Sequence, residues 1–211
     1  MPISRQVGPG LLVATTNPGK MREYRALLAA LPARLVFPAD LGLSLNVRED
    51  APTYRENAQA KALAYSQASG LLTLADDSGL EVDALSGEPG VRTSRYAGDE
   101  ADDAHRRAYL REKLRATKPP RQARFRCWVA VSQPGGSTEF AEGVCEGEVI
   151  LEERGVNGFG YDPLFVVRGR GLTLAELEPD EKNHLSHRAR AVQAIWPRLL
   201  ARLDAQDAAK P

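Results

Sequence analysis

Five small or apolar residues, Leu71-Leu72-Thr73-Leu74-Ala75, run without interruption into Asp76-Asp77-Ser78-Gly79-Leu80. An apolar run of that length reads as a short buried strand. Side chains alternate faces along a strand, so Asp76 and Asp77 cannot both point into a core. At least one is expected to project from the strand's carboxyl end, where open α/β sheets place their ligands. Gly79 lets the backbone turn sharply or approach a ligand closely. Taken alone, Asp-Asp-Ser-Gly is more often an acidic turn than a site, and the neighbouring segments have to decide between the two.

Composition sets the bounds. With 211 residues the chain can hold one sizeable core, or one domain with two lobes. Hydrophobic residues at 43% and charged residues at 27% are ordinary for a globular protein. Lys plus Arg and Asp plus Glu are equal at 28 each. That balance argues against a general nucleic-acid or membrane-surface binder, while leaving room for a local basic pocket. No apolar run approaches the roughly 20 residues of a membrane span, and the first ten residues lack a signal-peptide apolar region. Cys127 and Cys145 lie in strand-like segments and are expected to be buried, reduced thiols of a cytoplasmic protein.

Residues 1–10 read as a leader, 11–203 as a single two-lobed α/β domain and 204–211 as a tail. Leu11 to Ala14 form a strand pattern, followed by Thr15-Thr16-Asn17-Pro18-Gly19-Lys20 and a helix with Met21, Tyr24, Leu27, Leu28 and Leu31 on one face. A polar loop entering a helix N-terminus suits an anion, and Lys20 adds a full charge. The spacing is not that of a P-loop, and a plain turn fits these six residues equally well. Arg34 to Phe37 is a second strand, and the loop after it carries Asp40, Glu49 and Asp50. Thr53-Tyr54-Arg55-Glu56 matches a capping box, with Glu56 reaching back to the Thr53 N–H, for a helix from Tyr54 to Ser69 stopped by Gly70. That structural duty leaves Glu56 outside the site. Asn57 and Lys61 share a face of this helix, although a lysine there is ordinarily solvated.

Val91 to Gly98 is either an exposed connection or a ligand-contacting wall. A helix is expected over Asp99 to Ala116, with His105 on its surface. Ala123 to Ser132 and Ser137 to Val144 flank Pro134-Gly135-Gly136 as a hairpin, and Glu146 to Leu151 reads as a further strand. In Asn157-Gly158-Phe159-Gly160-Tyr161-Asp162-Pro163, an aromatic is raised between two glycines. It is placed for stacking on a flat ligand such as a base; a simple turn is the alternative. Lys182, His187 and Arg188 precede or open a terminal helix that Pro197 should kink or split. A basic pair at a helix start gains nothing from the dipole. Glu49, Asp76 and Asp77 supply hard oxygen donors of the kind magnesium takes together with phosphate and water.

Six runs, taken in order, resemble the inosine/xanthosine triphosphate pyrophosphatase family. They are Thr15 to Lys20; Glu56-Asn57-Ala58 with Lys61; Ala75 to Leu80; Pro89-Gly90-Val91 with Ser94-Arg95-Tyr96-Ala97-Gly98; Gly158 to Pro163; and Ser186-His187-Arg188. The resemblance spans Leu11 to Leu200. It implies an α/β fold with a long mixed β-sheet flanked by helices, two lobes with a central cleft, and a homodimer. It implies magnesium-dependent hydrolysis of ITP, dITP and XTP to the monophosphate and pyrophosphate, removing deaminated purines from the nucleotide pool. Carried over by position, Thr15, Thr16, Asn17, Pro18, Gly19 and Lys20 would hold the triphosphate. Asp77 would be general base and metal-associated acid, and Glu49 the second metal carboxylate, with Asp50 as its substitute. Asp76 and Lys61 would support them, and Ser78 would touch substrate. Phe159, Gly160, Tyr161 and Asp162 would form the base pocket, closed by Lys182, His187 and Arg188. Thr93-Ser94-Arg95 departs from the family's usual Ser-Ala before the arginine, which bears on fine pocket shape. A pyrophosphatase for modified pyrimidine nucleotides and a non-catalytic nucleotide- or RNA-binding module are the competing readings.

Overall fold

Strands and helices alternate through the first part of the chain: β1 (Gly10–Val13), α1 (Pro18–Leu27), β2 (Arg34–Val36), α2 (Tyr54–Ser69) and β3 (Leu72–Val82). There follow α3 (Asp103–Leu114), β4 (Gln122–Ser132), β5 (Glu139–Val149), β6 (Phe165–Val167), α4 (Pro179–Leu185) and α5 (His187–Ala208). In this computed structural model, which describes residues 10–208, the strands form one sheet in the order β2-β1-β3-β4-β5-β6. β1 runs parallel to β2 and β3, whereas β5 and β6 are antiparallel. The sheet is therefore mixed, as expected. Residues 1–9 of the expected leader and 209–211 of the expected tail lie outside the described residues.

Local chemistry explains the helix ends. Asn17 caps α1 by accepting from the Lys20 amide, with Pro18 at the first helical position. Thr53 caps α2 through the Glu56 amide at 3.2 Å, and Gly70 ends it with φ +72°. Glu56 accepts the Thr53 hydroxyl at 2.7 Å rather than reaching for the Thr53 N–H. Asp102 caps α3, so that helix begins later than the expected Asp99.

Three expectations are corrected. β3 does not stop before the acids: it continues through Asp76 and Asp77 to Val82, and Gly79 lies within it rather than at a turn. Its parallel neighbour does stop there, because Val13, the last residue of β1, is in register with Leu74. The acids thus follow directly on the end of that parallel pairing. Glu146 to Leu151 is not a separate strand: Glu146 to Val149 belong to β5, a strand that carries Gly143 and Gly147, and Ile150 and Leu151 lie beyond its end. A Cβ at Gly143 would stand 2.1 Å from the His187 carbonyl, and one at Gly147 would stand 2.2 Å from that of Val166. These glycines mark close backbone approach, not a break. Pro197 does not split α5. Both it and Gln193, whose carbonyl loses its helical donor, are on the exposed face of the helix.

The chain divides into two compact units, Met1–Asp76 with Val129–Ala141 and Val192–Pro211, and Asp77–Trp128 with Glu142–Ala191. The first has a core built around Leu12, Val36, Ala58, Ala62 and Tyr65, against which Leu43, Leu45 and Val47 pack. Between these three, Ser44 and Asn46 are exposed, so the segment alternates like a strand without being one. The second unit has its own core around Leu80, Leu110, Phe125, Tyr161 and Phe165. Cys127 and Cys145 are buried free thiols, as expected.

Candidate active site

In the first unit, β1 delivers the chain to a loop that folds on itself. The Asn17 amide donates to Thr15 Oγ1 at 3.2 Å, and the Lys20 amide donates to Asn17 Oδ1 at 3.0 Å. Lys20, in the first turn of α1, places its ammonium 3.0 Å from Asp76 Oδ2, whose side chain is 1% exposed. Lys61 is not the solvated lysine that its helix position suggested. Its Nζ lies 2.7 Å from Glu49 Oε2 and donates to the Asp76 carbonyl at 3.1 Å. One turn earlier on α2, Asn57 accepts from the Ala51 amide at 3.0 Å and donates to the Ala51 carbonyl at 3.4 Å. The Glu49 segment is thereby tied to the same helix face as Lys61. Glu49 continues the inward series of Leu43, Leu45 and Val47, whereas exposed Asp50 pairs with Arg48 at 3.3 Å.

In the second unit, Asp77 is nearly buried and its Oδ1 accepts from the Ser78 amide at 2.9 Å. Ser78 Oγ accepts from Arg188 Nη2 at 3.0 Å. Phe159, half-buried, lies with its ring 4.9 Å from Lys182 Nζ and 5.8 Å from the Arg188 guanidinium carbon. Cations at these distances are attracted by the ring face. Asp162 Oδ2 gathers the Phe159 amide at 2.8 Å and Lys182 Nζ at 2.5 Å. Gly158, with φ +77°, has to be glycine, because a Cβ would meet that same oxygen at 2.1 Å. His187 stacks on Phe125 with ring centroids 4.8 Å apart.

Lys20, Asp76, Lys61, Glu49, Thr15 and Asn17 are thus brought together in the first unit, and Phe159, Asp162, Lys182, Ser78 and Arg188 in the second. Tyr161 stands apart. Its side chain is 2% exposed within the core, and its hydroxyl, which burial holds well above the usual range, donates to the Thr93 carbonyl at 3.3 Å. Thr93 also explains the departure seen in its loop: its hydroxyl accepts from the Leu80 amide at 2.9 Å and donates to the Gly90 carbonyl at 2.7 Å.

Sequence reading missed Asn57's grip on Ala51, and it missed Asp103 and Arg107, which bind the backbone of Gly160. The alternation Leu43-x-Leu45-x-Val47-x-Glu49 would have separated Glu49 from Asp50. Nothing comparable marked Asp103 or Arg107.

Against known proteins, the Ham1 family model matches residues 11–198. A dITP/XTP pyrophosphatase of Bacillus licheniformis is 44% identical over 186 residues, covering 88% of this chain and 95% of the relative. One from Thermus thermophilus is 46% identical over 189 residues, covering 89% and 90%. Among solved structures, a HAM1 protein from Coxiella burnetii superposes with a TM-score of 0.80 at 38% identity, covering 93% of this chain and 99% of that one. The family model matches nearly the whole chain, and on that ground the chain belongs to the Ham1 family.

Proposed function

We propose that this protein hydrolyses non-standard purine nucleoside triphosphates (dITP or ITP, and XTP or dXTP) to the nucleoside monophosphate and pyrophosphate, and so cleanses the nucleotide pool of deaminated purines. The observation that carries this reading is the 3.0 Å contact of Lys20 with Asp76, the residue covalently next to Asp77. It sets a phosphate-type loop beside the first of the two acids. The relatives' names, dITP/XTP pyrophosphatase, supply the substrate class.

Thr15 to Lys20 would bind the triphosphate at the positive end of the α1 dipole, with the charge of the Lys20 ammonium. Asp77 would take a proton from water as the water oxygen attacks the α-phosphorus. The bond from that phosphorus to the bridging oxygen breaks, and pyrophosphate leaves with the electron pair, its charge met by Lys20. Asp76 holds Lys20 in place, and Lys61 does the same for Glu49. Phe159 would stack on the purine, with Lys182, His187 and Arg188 around its 6-oxo group and Ser78 against substrate. Leaving such polar groups unpaired against a 6-amino group is an effective means of rejecting adenine.

Among the described residues no three or more His, Cys, Asp or Glu side chains gather as a metal cluster. Magnesium does not need one, since it is commonly held by one or two carboxylates, water and substrate phosphates. The donors present, Glu49 and Asp77, are all oxygen acids and fit that ion. When bound there it would supply neutralisation of phosphate charge. A homodimer and a cytoplasmic location belong to the same reading through the family resemblance. No helix among the described residues is long and apolar enough to cross a membrane.

The test is a hydrolysis panel in magnesium over dITP, XTP, dATP, dGTP, dUTP and a modified dTTP, with products identified. Fast release of pyrophosphate from dITP and XTP alone is the expected result. A preference for the pyrimidines, or tight dITP binding without turnover, would overturn it.

A further inference from the structure

Both polar groups of Gly160, the residue after Phe159, are held by one helix. Its amide donates to Asp103 Oδ2 at 2.8 Å, and its carbonyl accepts from Arg107 Nη1 at 3.0 Å. Asp103 and Arg107 are four residues apart on α3 and so present from one face. Each is braced in turn. Arg107 Nε donates to Glu153 Oε2 at 2.9 Å. The other Asp103 oxygen is bound by Arg106, whose Nη1 also donates to the Ser94 carbonyl at 2.9 Å.

The loop needs this grip. Gly160 has φ +62° and nothing within 4 Å of where a Cβ would stand, and Val156 earlier in the loop is 97% exposed. Side-chain packing therefore fixes neither Gly160 nor Val156. On the other side of Phe159 its own amide is fixed to Asp162, which Lys182 holds. The Phe159 ring hangs between these two attachments, facing Lys182 and Arg188.

We propose that Asp103 and Arg107 are positioning residues for base recognition. They touch no substrate, and they set the height and tilt of the Phe159 ring through the Gly160 peptide. Stacking depends on ring placement, so a slack Gly160 weakens base binding while leaving phosphate binding and the chemical step alone. The inference rests on the reading that Phe159 stacks on the purine.

A double-mutant cycle tests it, with dITP as substrate and inorganic triphosphate as a competitive probe of the phosphate loop. Asp103→Ala is expected to raise KM for dITP about tenfold, with kcat changed less than about twofold. Inhibition by inorganic triphosphate should be unchanged. Arg107→Ala should behave alike, and Arg107→Lys, which keeps a donor, should recover most of the loss. In a Phe159→Leu background, Asp103→Ala should add less than about twofold, because both act through one ring. Should Asp103→Ala fail to fold, Arg107→Ala and its lysine rescue carry the same test. Full additivity with Phe159→Leu, or a parallel loss of inorganic triphosphate inhibition, would overturn the positioning role. A wild-type KM for Phe159→Leu itself would instead overturn the stacking reading.

Discussion

Lys182 Nζ and Asp162 Oδ2 stand 2.5 Å apart with side chains only 6% and 4% exposed, a buried ion pair at the foot of the Phe159 loop. Removing one member of such a pair strands the other charge, at about 3–5 kcal/mol. Replacing both avoids that. Lys182→Met alone should therefore lower stability by about 3–5 kcal/mol, and Lys182→Met with Asp162→Asn should recover most of it. Asparagine keeps an acceptor for the Phe159 amide. Urea denaturation of the three proteins checks this, and a double variant as unstable as the single one would contradict it.

Asp77 is expected to carry proton transfer. Its Oδ1 accepts the Ser78 amide, a bond that the amide oxygen of asparagine can keep. Asp77→Asn should accordingly fold normally and lower kcat for dITP by about 10²–10⁴-fold. Single-turnover measurement with a melting curve separates the two properties. A wild-type kcat removes Asp77 from the mechanism.

Arg188, 1% exposed and donating to Ser78 Oγ at 3.0 Å, is proposed as a donor to the purine edge. Arg188→Ala should erode the preference for dITP over dATP by about tenfold or more. The magnesium concentration for half-maximal rate should move little. The ratio of kcat/KM values for the two substrates reads this directly, and an unchanged ratio counts against the assignment.

The buried first half of β3 was legible because an uninterrupted apolar run has few other uses. Its continuation through Asp76, Asp77, Ser78 and Gly79 was not, since those residue types dominate turns. They lie beyond the end of β1, in a strand whose other neighbour in the sheet is β4, and that pairing is a long-range fact. The cap at Thr53 was legible because it acts on a residue three positions on. Asp103 was not, since the amide it binds is 57 positions away. The acids Glu49 and Asp76 were recognised by type, but only the geometry shows that Asp76 pairs with Lys20 and Glu49 with Lys61.

Glu49 rather than Asp50 faces Lys61, and the alternating segment leading to it fixes which of the two turns inward. Chelation with EDTA should abolish dITP hydrolysis, and added magnesium should restore it. Glu49→Gln should raise the magnesium concentration for half-maximal rate by about tenfold or more, whereas Asp50→Asn should leave it unchanged. The reverse ranking would make Asp50 the metal-site acid.

Burial pushes the Cys145 thiol up to about 11 from an ordinary 9.0, with the Arg190 charge pulling the other way. The folded protein thus holds this proton more tightly than the unfolded chain does. A raised folded-state pKa gives stability that is complete below pH 9 and is lost as pH climbs toward 11. A shift of about two units corresponds to on the order of 2–3 kcal/mol over that window. Cys145→Ala lacks the proton and should show a shallower loss of stability there, even if it begins less stable at pH 8 because of the small cavity it leaves. Urea midpoints of both proteins between pH 8 and 11 measure the difference in slope. Parallel curves would mean that the Cys145 thiol titrates alike in the folded and the unfolded chain, and so contributes nothing to the alkaline limb.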